Sequence, residues 1–174
     1  DALASDFDAI VMTEEQFIRI EPSAEAQASV VRDELTELDR AHHEARAEEM
    51  EGGWGTKANS RAQRSIVKKL EKARHNLALK LATLMKHARD DVATWEELGI
   101  DMLLVDEAHH FKNLEFVTKR EGLPTPKAKR AMDLFIKARL IESKTPGRNI
   151  VFGTGTPISN SLVELHTGLR YLAS

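Results

Sequence analysis

The sequence predicts an α/β fold, in which a lobe built on a parallel sheet is interrupted by an inserted antiparallel helical hairpin. Two observations support this prediction. Short apolar runs end in polar or glycine-rich segments at Ile100–Val105 and Ile150–Thr154, as buried strands do. Between them and the amino terminus, apolar residues recur at steps of three and four over two long stretches, the period of packed helices. We therefore assign residues 1–22 and 92–174 to the lobe and residues 23–91 to the hairpin.

The two helical stretches carry opposite charge. Residues 24–51 contain nine acidic and three basic side chains, whereas residues 57–89 contain ten basic side chains and one acidic. The glycine-rich break at Gly52–Gly55 and this charge difference favour an antiparallel coiled-coil hairpin. Ser23 is a suitable N-cap for its first arm. Its predicted apolar seam comprises Val31, Leu35, Leu38 and Ala45 in the first arm and Ile66, Leu70, Ala73, Leu77, Leu81 and Leu84 in the second.

The role of the hairpin stays open at the level of sequence. Its basic arm could contact a phosphate backbone, since lysine and arginine at this density release counterions on binding. Alternatively, the acidic arm neutralises the basic one and both form a solvated spacer; the protein partner of such a hairpin is unknown. His42 and His43 are candidate metal ligands, but they lack carboxylate or cysteine partners at ligand spacing and are expected at the surface.

The strand at Ile100–Val105 ends in two adjacent carboxylates, Asp106 and Glu107. Thr94 and Glu97 have the spacing of a capping box for a short helix that precedes this strand. In open α/β sheets ligands bind at the carboxyl ends of strands. One carboxylate there can hold a metal ion and the other a nucleophilic water.

A basic segment and a helix connect the two strands. Thr125 and Pro126 suit the first positions of a helix that runs to about Ser143. Its expected buried face comprises Ala128, Ala131, Met132, Phe135 and Ala138. Five basic residues on or near the preceding loop are candidate nucleic-acid contacts, or else a solvated basic surface: Lys119, Arg120, Lys127, Lys129 and Arg130.

The last predicted helix follows the strand at Ile150–Thr154. Ser161 and Glu164 have capping-box spacing at its start. Leu162, Leu165, Leu169 and Leu172 recur at helical spacing and are its expected buried face.

Two segments together resemble motifs II and III of superfamily-two helicases. They are DEAHHFKN at residues 106–113 and GTGTPISN at residues 153–160, and they are most similar to those of Swi/Snf-type DNA translocases. The resemblance implies an incomplete RecA-like three-layer lobe, in which Phe7–Met12 forms the strand before motif II. All three strands are then expected to be parallel and adjacent. The inserted hairpin and the ending most resemble helicase portions of very large phage- and mobile-element-encoded proteins.

The resemblance also implies a role for each motif residue. Asp106 holds Mg²⁺ through water, Glu107 orients and deprotonates the attacking water, and His109 hydrogen-bonds Thr154 and Thr156. Thr154, Gly155 and Thr156 are the coupling residues of motif III. Such a carboxylate pair suits phosphoryl transfer, which needs charge neutralisation and an aligned nucleophile. His110 receives no role, and Lys112 and Asn113 are expected to brace the loop.

The phosphate-binding loop G-x-x-x-x-G-K-[ST] is missing from the sequence, and the nearest approximation, at residues 52–57, lacks its ending. The resemblance therefore implies a piece of a larger ATP-dependent motor that binds ATP, Mg²⁺ and duplex DNA and has a second RecA-like lobe. Alone, this piece is expected not to turn over ATP. The competing hypothesis is a non-enzymatic interaction module, with the hairpin on a degenerate ATPase scaffold.

The composition is that of an ordinary globular domain. The chain is 41% hydrophobic and 30% charged, has a net charge of −3 and contains no cysteine. The absence of cysteine excludes disulfides and thiolate metal sites within these residues. No apolar run approaches the ~20 residues that span a bilayer, so we expect a cytoplasmic protein without a membrane partner.

Overall fold

A computed structural model describes residues 7–51, 57–86, 93–114, 128–158 and 162–172. Two short 3₁₀ helices accompany the main elements, at Glu96–Leu98 and Ala108–Phe111. No helix in this part of the chain is long and apolar enough to cross a membrane. The main elements are, in order, α1 (Glu14–Arg19), α2 (Ala24–Glu51), α3 (Lys57–Lys86), β1 (Leu103–Val105), α4 (Lys129–Lys144), β2 (Ile150–Phe152) and α5 (Leu162–Leu172).

Strands β1 and β2 form a parallel pair, as the sequence predicts. Leu103 lies opposite Ile150, and Val105 lies opposite Phe152. Leu103 is buried whereas Leu104 is 68% exposed, because successive side chains of a strand point to opposite faces. One face of this pair therefore packs on the core.

The predicted strand at Phe7–Met12 is wrong for the residues described. That segment carries no strand pairing, and the sheet of the described residues has two strands, β1 and β2. Val11 is 98% exposed. A strand is stabilised by a ladder of backbone hydrogen bonds to a neighbour, and these residues have no such neighbour in the described part of the chain.

Helix α4 lies at the centre of the core. It begins at Lys129, three residues after the predicted Pro126, and its N-cap is Ala128. Ala128 and Met132 are only partly buried, in contrast to the prediction. The helix is covered on most sides, because α1, α2, α5 and β2 all contact it. Its buried residues are Ala131, Leu134, Phe135, Ile136, Lys137, Ala138, Ile141 and Glu142.

Helices α2 and α3 are antiparallel arms of a hairpin. Glu49 pairs with Arg64, and Asp39 pairs with Arg74, so positions later in α2 meet positions earlier in α3. The acidic arm thus contacts the basic one, as expected from their charges. The Ser23 hydroxyl accepts a hydrogen bond from the backbone N–H of Ala26, which confirms it as the cap of α2. The apolar cluster between the arms contains Leu38, Ala45, Val67 and Leu70, with Ala41, Ile66, Ala73 and Leu77 packed against it.

His42 is buried inside the hairpin, so the prediction of a surface residue is wrong for it. Its side chain retains 9% exposure, and Nε2 lies 3.5 Å from a carboxylate oxygen of Glu71 on α3. His43, the next residue, is exposed. One residue along a helix turns a side chain by about 100°, which is enough to move it from the seam to solvent.

Helix α5 buries a different face from the predicted one. Leu165, Leu169 and Leu172 are 43%, 53% and 43% exposed. Thr167 and Tyr171, which are one turn apart, are buried instead. Apolar periodicity identified the helix, but packing of the Tyr171 ring against Phe135 and Phe152 determined which side faces the core.

A buried lysine of α4 forms an ion pair within that helix and links it to α1. The Lys137 side chain is 0% exposed, and its Nζ donates to Asp133 Oδ2 and to the carbonyl oxygen of Phe17, both at 2.6 Å. Phe17 belongs to the last turn of α1, where carbonyl oxygens lack a partner within the helix. The ammonium also lies 4.0 Å from the centroid of the Phe17 ring and 5.1 Å from that of the Trp95 ring. Lys137 therefore fixes α1 to α4.

The pair makes the stability of the fold depend on pH. Burial raises the pKa of Asp133 from 3.8 to about 6, which the Lys137 hydrogen bond and charge offset only in part. Burial lowers the pKa of Lys137. Because the pKa of Asp133 is raised on folding, its stabilising contribution is complete below pH 3.8 and is lost as the pH rises through about 6. The difference between the two values corresponds to about 3 kcal/mol.

We expect the unfolding free energy of the wild-type chain, measured relative to Asp133→Asn, to fall by up to about 3 kcal/mol between pH 4 and pH 7. Urea unfolding at a series of pH values measures both proteins. The asparagine variant is the reference because it cannot ionise at this position. Parallel stability curves for the two proteins would show that Asp133 titrates normally in the fold.

Candidate functional site

The two motif segments meet at the carboxyl ends of β1 and β2. The backbone N–H of Gly153 donates to the carbonyl oxygen of Val105 at 2.8 Å, and that of Ala108 donates to the carbonyl oxygen of Gly153 at 3.0 Å. Backbone hydrogen bonds between the two segments thus continue beyond the last residues of β1 and β2. A Cβ atom at Gly153 would lie 3.4 Å from Asp106 Oδ1, an ordinary van der Waals distance, so the start of the second motif lies directly beside the first carboxylate.

Glu107 has a left-handed backbone, with φ at 49°. Its N–H donates to Asp106 Oδ1 at 2.8 Å, and the 3₁₀ turn Ala108–Phe111 follows. A non-glycine residue in this region costs on the order of 1–3 kcal/mol, and such strained residues cluster at functional sites. Asp106 and Glu107 are both exposed, so their carboxylates are accessible to a ligand.

His109 lies between the two motifs. Its Nδ1 is 3.1 Å from Glu107 Oε2 and 3.4 Å from Thr154 Oγ1. A ring nitrogen carries at most one proton, so Nδ1 cannot donate to both oxygens with full strength at once. The Nδ1 atom of His109 therefore lies within hydrogen-bonding distance of both Glu107 in the first motif and Thr154 in the second.

The residues of the second motif are arranged around Thr154. Its hydroxyl oxygen accepts a hydrogen bond from the backbone N–H of Thr156 at 3.2 Å, which closes a local turn. Within the described residues, Thr156 makes no hydrogen bond to His109, so the expected contact is formed by Thr154 and not by both threonines. Gly155 has open space where a Cβ would lie.

His110 participates in contacts that the sequence did not predict. Its Nδ1 lies 3.2 Å from Glu14 Oε2, while Glu14 Oε1 accepts from Arg130 at 3.0 Å. The rings of His109 and His110 are edge to face, with centroids 4.4 Å apart. Glu14 therefore connects the turn after β1 to the start of α4. Glu14 gave no signal in the sequence, since it lies far along the chain from both partners.

The candidate nucleic-acid contacts are only partly described. Lys129 and Arg130 lie in the first turn of α4, where both are exposed, although Arg130 is engaged by Glu14. Lys119, Arg120 and Lys127 lie outside the described residues. The described residues therefore contain two of the five candidate contacts, Lys129 and Arg130.

Two contacts hold the turn after β1 against α5. Lys112 Nζ lies 3.0 Å from Glu164 Oε1, in agreement with the expected bracing role. The buried Tyr171 hydroxyl lies 2.9 Å from the carbonyl oxygens of both Phe111 and Ala131, and burial raises the pKa of Tyr171 above its ordinary value. The predicted cap of α5 at Ser161 lies outside the described residues, and Glu164 is engaged by Lys112 instead.

A family model described as "Probable helicase domain" matches residues 1–174. No curated protein and no solved structure gives a significant match.

Proposed function

The chain belongs to the family described as probable helicase domain, and from this premise we propose that it is the ATP-hydrolysing part of a DNA helicase or translocase motor of superfamily two, Swi/Snf type. The observation that carries the proposal is the parallel pairing of β1 with β2, which places Asp106, Glu107 and His109 beside Thr154. In this proposal the fold is a RecA-like lobe with an inserted hairpin.

The side chains fit a magnesium ion that arrives with ATP. No group of three or more histidine, aspartate or glutamate side chains that could enclose a metal occurs in the part of the chain that the structure describes. Mg²⁺ does not need such a cage, because it is usually held by one or two carboxylates and by the phosphates of the nucleotide. Asp106 would hold the ion, through water. The ion would neutralise charge on the phosphates.

Glu107 is proposed as the general base. Its carboxylate is 61% exposed, and Glu107 Oε2 accepts a hydrogen bond when His109 Nδ1 carries the proton. In that arrangement the Glu107 carboxylate is oriented while keeping its second oxygen available to a water. Phosphoryl transfer is helped most by positioning and charge stabilisation. The phosphate-binding loop and the second lobe would come from other parts of a longer protein.

Duplex DNA is the proposed track along which the motor translocates. Lys129 would contact its phosphate backbone near the start of α4. Lys119, Arg120 and Lys127 are proposed as further contacts with DNA. Arg130 would contact the DNA backbone after its ion pair with Glu14 breaks. Alternatively, it would keep that ion pair and so position α1. His109 would report the state of the nucleotide, because its Nδ1 can shift between Glu107 and Thr154.

The test uses a protein in which this lobe is joined to a phosphate-binding loop and a second lobe. We expect Mg²⁺-dependent ATP hydrolysis that duplex DNA stimulates. His109→Ala should lower basal hydrolysis but leave some of it, since it removes the contact that orients Glu107. It should in addition reduce the stimulation by DNA about tenfold, since one hydrogen-bonded contact is worth up to about 1.5 kcal/mol. ATPase rates with and without duplex DNA measure both quantities.

His110→Ala is the matched control, because it removes a neighbouring imidazole that contacts Glu14 and neither Glu107 nor Thr154 in the described residues. This variant should keep the DNA stimulation. Equal stimulation in His109→Ala and wild type would contradict the coupling role. A wild-type protein without any hydrolysis would favour the interaction module.

A further inference from the structure

Three basic side chains form a stripe on the outer face of α3. Two residues along a helix turn a side chain by about 200°, so Lys68 and Lys72, which follow the seam residues Ile66 and Leu70 by two positions, lie on the side away from α2. Arg61 precedes Lys68 by seven positions and lies on the same side. All three are exposed. Arg61, Lys68 and Lys72 are called the outer stripe below.

The outer stripe is not neutralised by the acidic arm. The hairpin uses other basic residues for its ion pairs: Arg64 contacts Glu49, and Arg74 contacts Asp39. Glu71 is the one acidic residue of α3, and it lies next to His42 on α2. Within the described residues no carboxylate forms an ion pair with Arg61, Lys68 or Lys72. Their charge is therefore available to a partner in solution.

We propose that the outer stripe binds the phosphate backbone of duplex nucleic acid, independently of ATP and of sequence. The stripe runs from Arg61 to Lys72, eleven helical steps or about 16 Å of helix. This length faces about five phosphates of one strand, which repeat about every 3.4 Å along the duplex axis. The inference rests on the proposed function in its choice of nucleic acid as the polyanion. The proposal assigns a function to the inserted hairpin, which contains neither of the two motifs.

A second copy of the chain fits the outer stripe less well. The complementary surface would have to be the outer face of α2, the acidic arm. That face has mixed charge, because Arg40 lies among Asp33, Glu37 and Glu44, and all four are exposed. The chain as a whole is also acidic, with a net charge of −3, so binding to a polyanion must come from a local surface.

The experiment measures the binding of the 174-residue chain to a short fluorescent duplex by anisotropy, without ATP, over a range of salt concentrations. We expect Lys68→Gln/Lys72→Gln to weaken binding about tenfold at low salt and to reduce the slope of log K against log salt by about 2, since each lost phosphate contact removes about 0.9. Lys68→Arg/Lys72→Arg should retain binding, because arginine keeps the charge.

The matched control is Lys144→Gln/Arg148→Gln, which removes the same charge from exposed positions away from the hairpin. It should bind within about twofold of wild type. Equal weakening by both glutamine pairs would overturn the proposal in favour of overall charge. Absence of duplex binding, combined with a wild-type dimer that Lys68→Gln/Lys72→Gln dissociates in size-exclusion chromatography, would make a second copy the occupant. Either failure leaves the ATPase proposal intact, because the outer stripe shares no residue with Asp106, Glu107 or His109.

Discussion

Replacing Glu107 by glutamine is expected to lower DNA-stimulated ATP hydrolysis by a factor on the order of 10² or more, because an amide cannot take the proton of the attacking water. Glutamine has the same length and retains hydrogen-bonding capacity. It also faces the same cost for the left-handed backbone at φ 49°, so the local turn should persist. ATP binding should therefore be unchanged while turnover is lost. The two quantities are measured as nucleotide affinity and ATPase rate, in a protein where this lobe is joined to a phosphate-binding loop and a second lobe.

Glu15→Gln is the control for that substitution. Glu15 is an exposed glutamate of α1, so the variant makes the same chemical change outside the site. It should hydrolyse ATP at the wild-type rate. Near-wild-type hydrolysis by Glu107→Gln would reject the general-base role and would leave the interaction module as the better account of the chain.

Replacing Lys137 by methionine is expected to destabilise the fold by about 3 kcal/mol at neutral pH, because it leaves the Asp133 carboxylate buried without its cation. Methionine fills a similar volume, but it cannot donate to Asp133 or to the Phe17 carbonyl oxygen. The loss should shrink at pH 4, where Asp133, whose pKa is already raised by burial, is protonated and needs no counter-ion. Urea unfolding at the two pH values measures the difference.

Two further variants test that interpretation. Lys144→Met alters an exposed lysine of the same helix and should change the stability by less than about 0.5 kcal/mol. Asp133→Leu/Lys137→Met removes both charges, and it should recover most of the stability lost by Lys137→Met, since a buried pair replaced by apolar residues is often close to neutral. The single variant Asp133→Leu completes the cycle. If its effect and that of Lys137→Met simply add in the double variant, the two side chains are not energetically coupled.

The residues of the candidate site could be named from the sequence because their signals are local. An apolar run followed by Asp106 and Glu107, and a second run followed by a glycine and threonine turn, indicate strand ends without knowledge of the rest of the chain. Parallel strands of one sheet bring such ends to the same edge. The helices of the hairpin were predicted for a similar reason, since the spacing of apolar residues repeats over many turns.

Other features depend on residues that are distant in sequence. His110 meets Glu14 across 96 positions, Arg130 meets Glu14 across 116, and Lys137 meets the Phe17 carbonyl oxygen across 120. No periodicity encodes such contacts. The expected strand at Phe7–Met12 was wrong for a related reason, because a strand exists only where another strand supplies its hydrogen bonds.

The sequence by itself determined that two apolar strands end in DEAH and GTGT segments and that two oppositely charged helices lie between the first residues and those strands. Composition and the spacing of apolar residues are properties of short stretches, so they can be identified without knowledge of the tertiary structure. Only the tertiary structure decided that α4 is buried on most sides, that α5 turns Tyr171 inward and its leucines outward, and that His109 reaches Thr154. Burial and distance are set by whichever elements pack together, and that packing is a property of the whole chain.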